Sequence, residues 1–167
     1  MQKQKNTRSC EISEQRYLAH IDKATSREQY LYNHLENVAE RSARFAAAFG
    51  EEAVGRALGR YHDIGKYSNE FQDYIRAPKE EQQKKRGTID HSTAGAKEMA
   101  QLGTAAGVLA FCIAGHHGGI PNRGTRADTA VKPTLIGRLK KVVPDYHTYR
   151  KENPVPLLPT SSLFCPR

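Results

Sequence analysis

Five of the seven histidines in this chain fall in four short segments that also carry glycine or helix-capping residues. They are His34, His62 beside Asp63 in YHDIGK, His91 in IDHSTAG, and His116-His117 in AGHHGGIP. Imidazole and carboxylate groups are the ligands that a divalent transition metal prefers. Successive helical residues point about 100° apart, so His62 and Asp63 can reach one ion from two sides, or Asp63 can bridge two ions. Taken singly, each segment has a plainer reading. His34 can be a hydrogen-bonded structural histidine, His91 can accompany a helix cap, and His116-His117 can form an exposed C-terminal turn favoured by the helix dipole. Their co-occurrence points to metal chemistry. His20 and His147 stand outside the pattern.

The elements that must position these groups read as helices. Leu35, Val38, Ala39, Ser42, Phe45, Ala46 and Phe49 follow the spacing of one helix face, and Gly50 stops it. A second helix spans residues 51–63, with Val54, Ala57, Leu58 and Tyr61 inward and Gly65 as terminator. Ser68 caps a short third helix carrying Phe71, Tyr74 and Ile75, which Pro78 ends. Residues 79–88 read as a polar loop, 92–102 as a fourth helix, and 105–116 as a fifth with Val108, Phe111, Cys112 and Gly115 on one face. Gly118-Gly119 and Pro121 break that helix, and residues 133–143 form a sixth. No segment alternates as a strand should. The expectation is an all-α helical bundle with a metal site between helices. Residues 1–15 read as a flexible N-terminal tail, 16–152 as the domain, and 153–167 as a truncated, proline-rich tail.

In order and spacing, HLENVAERSARFAAAFG, GRYHDIGKYSNEFQDYI, IDHSTAGA and IAGHHGGIP resemble the HD nuclease domain of the CRISPR type I helicase-nuclease family. HDIGK alone marks the wider HD phosphohydrolase superfamily. HDIGK followed by FQ, then DHSTAG, then GHHGG, is the narrower signal. The resemblance implies an HD-domain bundle and a two-metal site. His34, His62 and Asp63 would hold one ion, and Asp63 would bridge to a second held by His91, His116 and His117. Asp63 and Lys66 are the implied catalytic residues, with Lys66 contacting the scissile phosphate or ordering a water. Without the motif, Lys66 reads as an exposed helix-end lysine.

Metal ions about 3.5–4 Å apart can lower the pKa of a water, orient a phosphodiester and stabilise attacking and leaving oxygens. Histidine-rich ligation favours Mn, Co, Ni or Fe over Mg, and Zn also fits. Because the apolar helix faces do not use Asp63, its replacement is expected to abolish metal-dependent cleavage with little change in stability. One departure stands against the family pattern, which completes its first site with an aspartate on a later helix. After His117 the chain offers only Asp128 and Asp145, neither in a helical apolar context. The first ion should therefore bind poorly and the second firmly, unless Asp128 or Asp145 folds back over His34 and His62. The helix bearing that carboxylate reads as missing, and the tail from Asn153 as poorly packed.

The implied function is a metal-dependent single-stranded DNA nuclease domain in antiviral defence. Its partners would be a CRISPR surveillance complex and a helicase, encoded in the same longer protein or as a separate chain. The sequence has no GxxxxGK[ST] loop of its own. The alternatives are a nucleotide phosphohydrolase of the wider superfamily and a truncated metal-binding domain with little activity. A net charge of +8 suits a polyanionic partner, although the densest basic cluster, Lys84-Lys85-Arg86, follows Glu80-Glu81 as in a solvated loop. At 167 residues, 38% of them hydrophobic and 26% charged, the chain suits one globular domain. Its longest apolar stretch, Thr104 to Ala114, falls far short of the roughly 20 residues of a membrane span. The start, MQKQKNTRSC, reads as polar and basic rather than as a signal peptide. Cys10, Cys112 and Cys165 read as reduced thiols in a cytoplasmic protein.

Overall fold

The computed structural model describes residues 17–152; the two predicted tails lie outside the described residues. The architecture is mostly helical, as the sequence predicts. In chain order it comprises β1 (Leu18–Asp22), β2 (Arg27–Tyr30), α1 (Leu31–Ala47), α2 (Glu52–Tyr61), a 3-10 turn (Ile64–Tyr67) and α3 (Asn69–Arg76). Then follow α4 (Lys79–Lys84), α5 (Ser92–Gln101), α6 (Thr104–Gly115), α7 (Leu135–Lys140) and α8 (Tyr149–Glu152).

The two strands correct the expectation that none exists. They form an antiparallel hairpin pairing Leu18 with Tyr30 and His20 with Gln29, so that Ala19 is an extra residue in the register. That irregularity buries the adjacent Leu18 and Ala19 together, and β2 is the polar REQY. Both features erase the alternation by which a strand is read.

Helix α1 buries Leu31, Leu35, Ala39 and Ala43, one row at four-residue spacing. Phe45 and Phe49, expected on the inner face, are 77% and 83% exposed. Phe45 lies two residues beyond Ala43, about 200° round the helix from the buried row. Small residues face the neighbour because α1 and α2 cross closely. A Cβ on Gly59 would run into the backbone of Ala39 and Val38. This close crossing fixes His34 on α1 relative to His62 at the end of α2.

Helix α2 stops at Tyr61 rather than Asp63, and Ser68 caps α3 through the Phe71 amide, as predicted. Residues expected as a loop contain the short α4, which buries nothing; Glu80 and Glu81 at its start and Lys84 at its end suit the dipole. On α6 the buried residues include Ala106, Ala110, Ile113, Ala114 and Gly115, whereas Val108, read on the same face as Gly115, is 57% exposed. Helix α6 is so apolar throughout that its inner face has no sequence contrast. The main core joins Leu31, Leu35, Ala57, Ile64, Met99 and Ile113, and a smaller one joins Leu18, Phe71 and Ile75. Among the described residues no helix is long and apolar enough to cross a membrane.

Candidate metal centre

Helices α2 and α6 end beside one another, and each places a histidine at its C-cap. His62 Nδ1 lies 2.6 Å from the Gly59 carbonyl and His116 Nδ1 lies 2.7 Å from the Ile113 carbonyl. A carbonyl only accepts, so both Nδ1 atoms carry a proton, and in the neutral rings both Nε2 atoms present a lone pair. The chain then turns so that Asp63 lies between them. Its Oδ2 is 3.0 Å from His34 Nε2, 3.2 Å from His62 Nε2 and 2.9 Å from Lys66 Nζ. Its Oδ1 is 3.3 Å from both His91 Nε2 and His116 Nε2.

His91 enters from the start of α5. Asp90, just before the N-cap, secures that first turn by accepting from the Thr93 amide at 3.0 Å and the Thr93 hydroxyl at 2.7 Å. Gly65 in the 3-10 turn packs so tightly on the His91 backbone that a Cβ there would collide with the carbonyl. His117 Nε2 lies 2.8 Å from His91 Nε2. All six predicted ligands thus converge, in two groups that share Asp63. One is His34, His62 and Asp63; the other is Asp63, His91, His116 and His117, with the ligand atoms of each group within 4.8 Å of one another.

Burial alone would raise the Asp63 carboxyl, but the His116, His34 and His62 imidazoles around it prevail and hold it well below the usual carboxylate range. Burial lowers His91 to about 4, so its imidazole is neutral at pH 7. Burial also lowers His117, reinforced by neighbouring His116, whereas for His116 the Asp63 carboxylate outweighs burial and raises the pKa.

These residues fit a divalent cation. The Nε2 lone pairs of His62 and His116 face carboxylate oxygens at 3.2 and 3.3 Å, an arrangement that a proton or a cation must relieve. Asp63 Oδ1 is buried without a well-formed hydrogen bond, another sign of an acceptor set aside for an ion.

Residues 16–153 match the family described as Cas3, HD domain. The chain belongs to the Cas3 HD-domain family. No curated protein matches the sequence. Membership makes it a metal-dependent nuclease type of domain from CRISPR type I systems, with a nucleic acid as substrate and divalent metals as cofactors. The gathering of His34, His62, His91, His116 and His117 around the Asp63 carboxylate agrees with that membership.

Two aspartates considered as a distal ligand lie elsewhere. Asp128 accepts from Thr125 and Thr134, and Asp145 pairs with His147. Neither joins a ligand group, so the possible rescue of the first site is not realised among the described residues. Lys66, readable without the motif as an exposed lysine, is instead 3% exposed, with Nζ also donating to the Ala19 carbonyl at 3.3 Å.

Sequence reasoning left out two residues at the centre. His20, on β1, stacks edge-on against His34 with ring centroids 5.1 Å apart; unread strands gave no means to place it. Gln72 ties the hairpin to the 3-10 turn, and its signal was the FQ that follows HDIGK.

Proposed function

We propose that this chain hydrolyses single-stranded DNA in a metal-dependent reaction, as the nuclease component of a CRISPR type I defence acting in the cytoplasm. A surveillance complex and a helicase, in the same longer protein or a separate chain, would deliver the strand. The observation that carries the reading is the division of Asp63, with one oxygen turned to His34 and His62 and the other to His91 and His116.

In this reading His34, His62 and Asp63 hold one ion, and Asp63, His91, His116 and His117 hold the other. Mn, Fe, Co and Ni suit these ligands, and Zn fits them too. Divalent ions held there would lower the pKa of a water and offset charge on the attacking and leaving oxygens. The Gly59 and Ile113 carbonyls orient two of the imidazoles, and Lys66 holds Asp63 Oδ2 from the buried side. No serine or cysteine nucleophile is needed.

Clefts on both flanks support a polynucleotide over a mononucleotide. One, of about 680 Å³, leads to His91 and His117 and is lined by Tyr74, Arg86 and Lys141 among others. The other, of about 570 Å³, leads to His34 past Asn37, Arg41 and Arg44. Basic side chains with an aromatic ring beside an open cleft are the features by which single strands are held without sequence preference.

The test is Mn²⁺-dependent cleavage of circular single-stranded DNA and of deoxynucleoside triphosphates, side by side. Cleavage of the circle with intact triphosphates is expected. Hydrolysis of triphosphates alone would favour the wider HD activity. Metal binding with neither reaction would favour the low-activity reading, which the three-ligand first group supports.

A further inference from the structure

The FQ that follows HDIGK supplies no metal ligand, yet Phe71 packs against the His91 ring and Gln72 holds the backbone of Lys66. Gln72 is 3% exposed, and its amide is fully used. Nε2 donates to the Leu18 carbonyl at 2.9 Å and to the Lys66 carbonyl at 2.7 Å. Oε1 accepts from the Leu18 amide at 3.0 Å and from Arg76 at 2.5 Å. One side chain thus binds both backbone groups of Leu18, as a neighbouring strand would. Ala19, the extra residue in the hairpin register, comes next, and its carbonyl accepts from Lys66 Nζ at 3.3 Å. Lys66 Nζ in turn is 2.9 Å from Asp63 Oδ2. Phe71 stands on the same turn of α3, with Lys66 Nζ 5.3 Å from its ring and the His91 ring edge-on at 5.2 Å.

We propose that Gln72 is a positioning residue for the metal centre. By fixing the backbones of Leu18 and Lys66, it sets the Lys66 ammonium between the Ala19 carbonyl and Asp63, and so holds the shared carboxylate in its bridging orientation. This inference rests on the nuclease reading only for its kinetic consequence; the placement of Lys66 can be tested without activity.

The experiment uses the full chain with Gln72→Met and with the isosteric Gln72→Glu, which keeps the acceptors and loses both donors. Gln82→Leu is the control. Gln82 Nε2 donates to the Ile75 and Ala77 carbonyls at 2.9 and 2.8 Å, so its loss weakens the far end of α3 without reaching the centre. Lys66 is first probed, metal-free, with an amine-acylating reagent and mass spectrometry. It should stay protected in the unsubstituted chain and in Gln82→Leu, and become reactive in the Gln72 variants with unchanged far-UV circular dichroism. With Mn²⁺, hydrolysis of a single-stranded oligonucleotide and of bis(p-nitrophenyl) phosphate should show kcat lowered roughly 10–100-fold, the range for residues that orient metal ligands, with KM unchanged. In a Lys66→Met background, Gln72→Met should add no further loss. Lys66 still protected in both Gln72 variants, or losses that multiply in the double variant, would overturn the proposal. Failure of both variants to fold would do the same, since Gln72 would then be a structural residue. An unsubstituted chain that hydrolyses neither substrate would count against the nuclease reading instead, and the acylation result would still decide the placement.

Discussion

Asp63→Asn removes one charge from a group that is 3% exposed and keeps the side-chain volume. The sequence suggests little effect on stability, because no apolar helix face uses Asp63. Its surroundings say otherwise, since the Asp63 and Lys66 side chains are each only 4% exposed and their charges lie 2.9 Å apart. At an effective dielectric of about 20, Coulomb's law gives roughly 6 kcal/mol of gross attraction at that separation. Most of it offsets the desolvation of both ions, but removing one partner of a buried pair costs about 3–5 kcal/mol, because the other charge is left uncompensated. The Ala19 carbonyl and the Phe71 ring remain near Lys66 and moderate that cost, so about 3 kcal/mol is expected. For a domain of this size that corresponds to a fall of about 6–12 °C in Tm.

The assay is urea and thermal unfolding in the presence of a chelator, for Asp63→Asn and for Asp63→Asn combined with Lys66→Met. The single variant should be destabilised and the double variant should recover most of the loss, while neither cleaves DNA. Acid provides an internal check. The Asp63 pKa is depressed by folding, so its contribution is present above the ordinary carboxylate range and is lost as pH falls through the folded value. The gap between the unsubstituted chain and Asp63→Asn should therefore close in strong acid. An Asp63→Asn protein within about 0.5 kcal/mol of the unsubstituted chain at pH 7 would refute the buried-pair argument.

Three further outcomes are expected. The metal-free protein should lose stability as pH falls from about 6.5 towards about 4, because burial makes His91 resist its proton in the folded state; His91→Gln should flatten that part of the curve, measured by urea unfolding across pH. Calorimetric titration with Mn²⁺ should show two unequal sites, the weaker removed by His34→Ala and the tighter by His117→Ala; two equally tight equivalents would contradict the count of three and four ligands. Glu98→Ala should cost about 2–3 kcal/mol in urea unfolding and leave cleavage unchanged, because the Tyr146 and Tyr149 hydroxyls and Arg150 all donate to the buried Glu98 carboxylate, away from the centre.

The clustered residues were legible where a local backbone device leaves a trace in sequence. Gly65 permits the contact with the His91 backbone, Asp90 secures the first turn of α5, and Gly119 adopts a positive φ of 85° just past His116-His117. The apolar helices were legible as helices, but not always by face. In α1 the close crossing with α2 selects Ala39 and Ala43 over Phe45 and Phe49, and hydrophobicity alone ranks those residues the other way. The hairpin was illegible because one side chain, Gln72, satisfies the backbone of Leu18 in place of a third strand. A contact spanning 54 residues leaves no periodic signal.

The three- and four-ligand groups each meet one helix C-terminus and one helix N-terminus. His62 and His116 cap the C-termini of α2 and α6, and each uses a last-turn carbonyl that its helix cannot satisfy to hold Nδ1. The same two helices turn the negative ends of their dipoles towards the centre, worth about 0.3–1 kcal/mol each for a nearby positive charge. His34 belongs to the opposite case. It lies at the fourth position of α1, where the dipole is positive, and no acidic residue in that first turn compensates it. An ion among His34, His62 and Asp63 therefore meets one unfavourable helix end as well as one fewer protein ligand. An ion among Asp63, His91, His116 and His117 meets the favourable end of α6 and, at His91, the unfavourable start of α5. Helix polarity is therefore balanced between the two groups, and ligand count makes the His34 side of the shared carboxylate the weaker half of the centre.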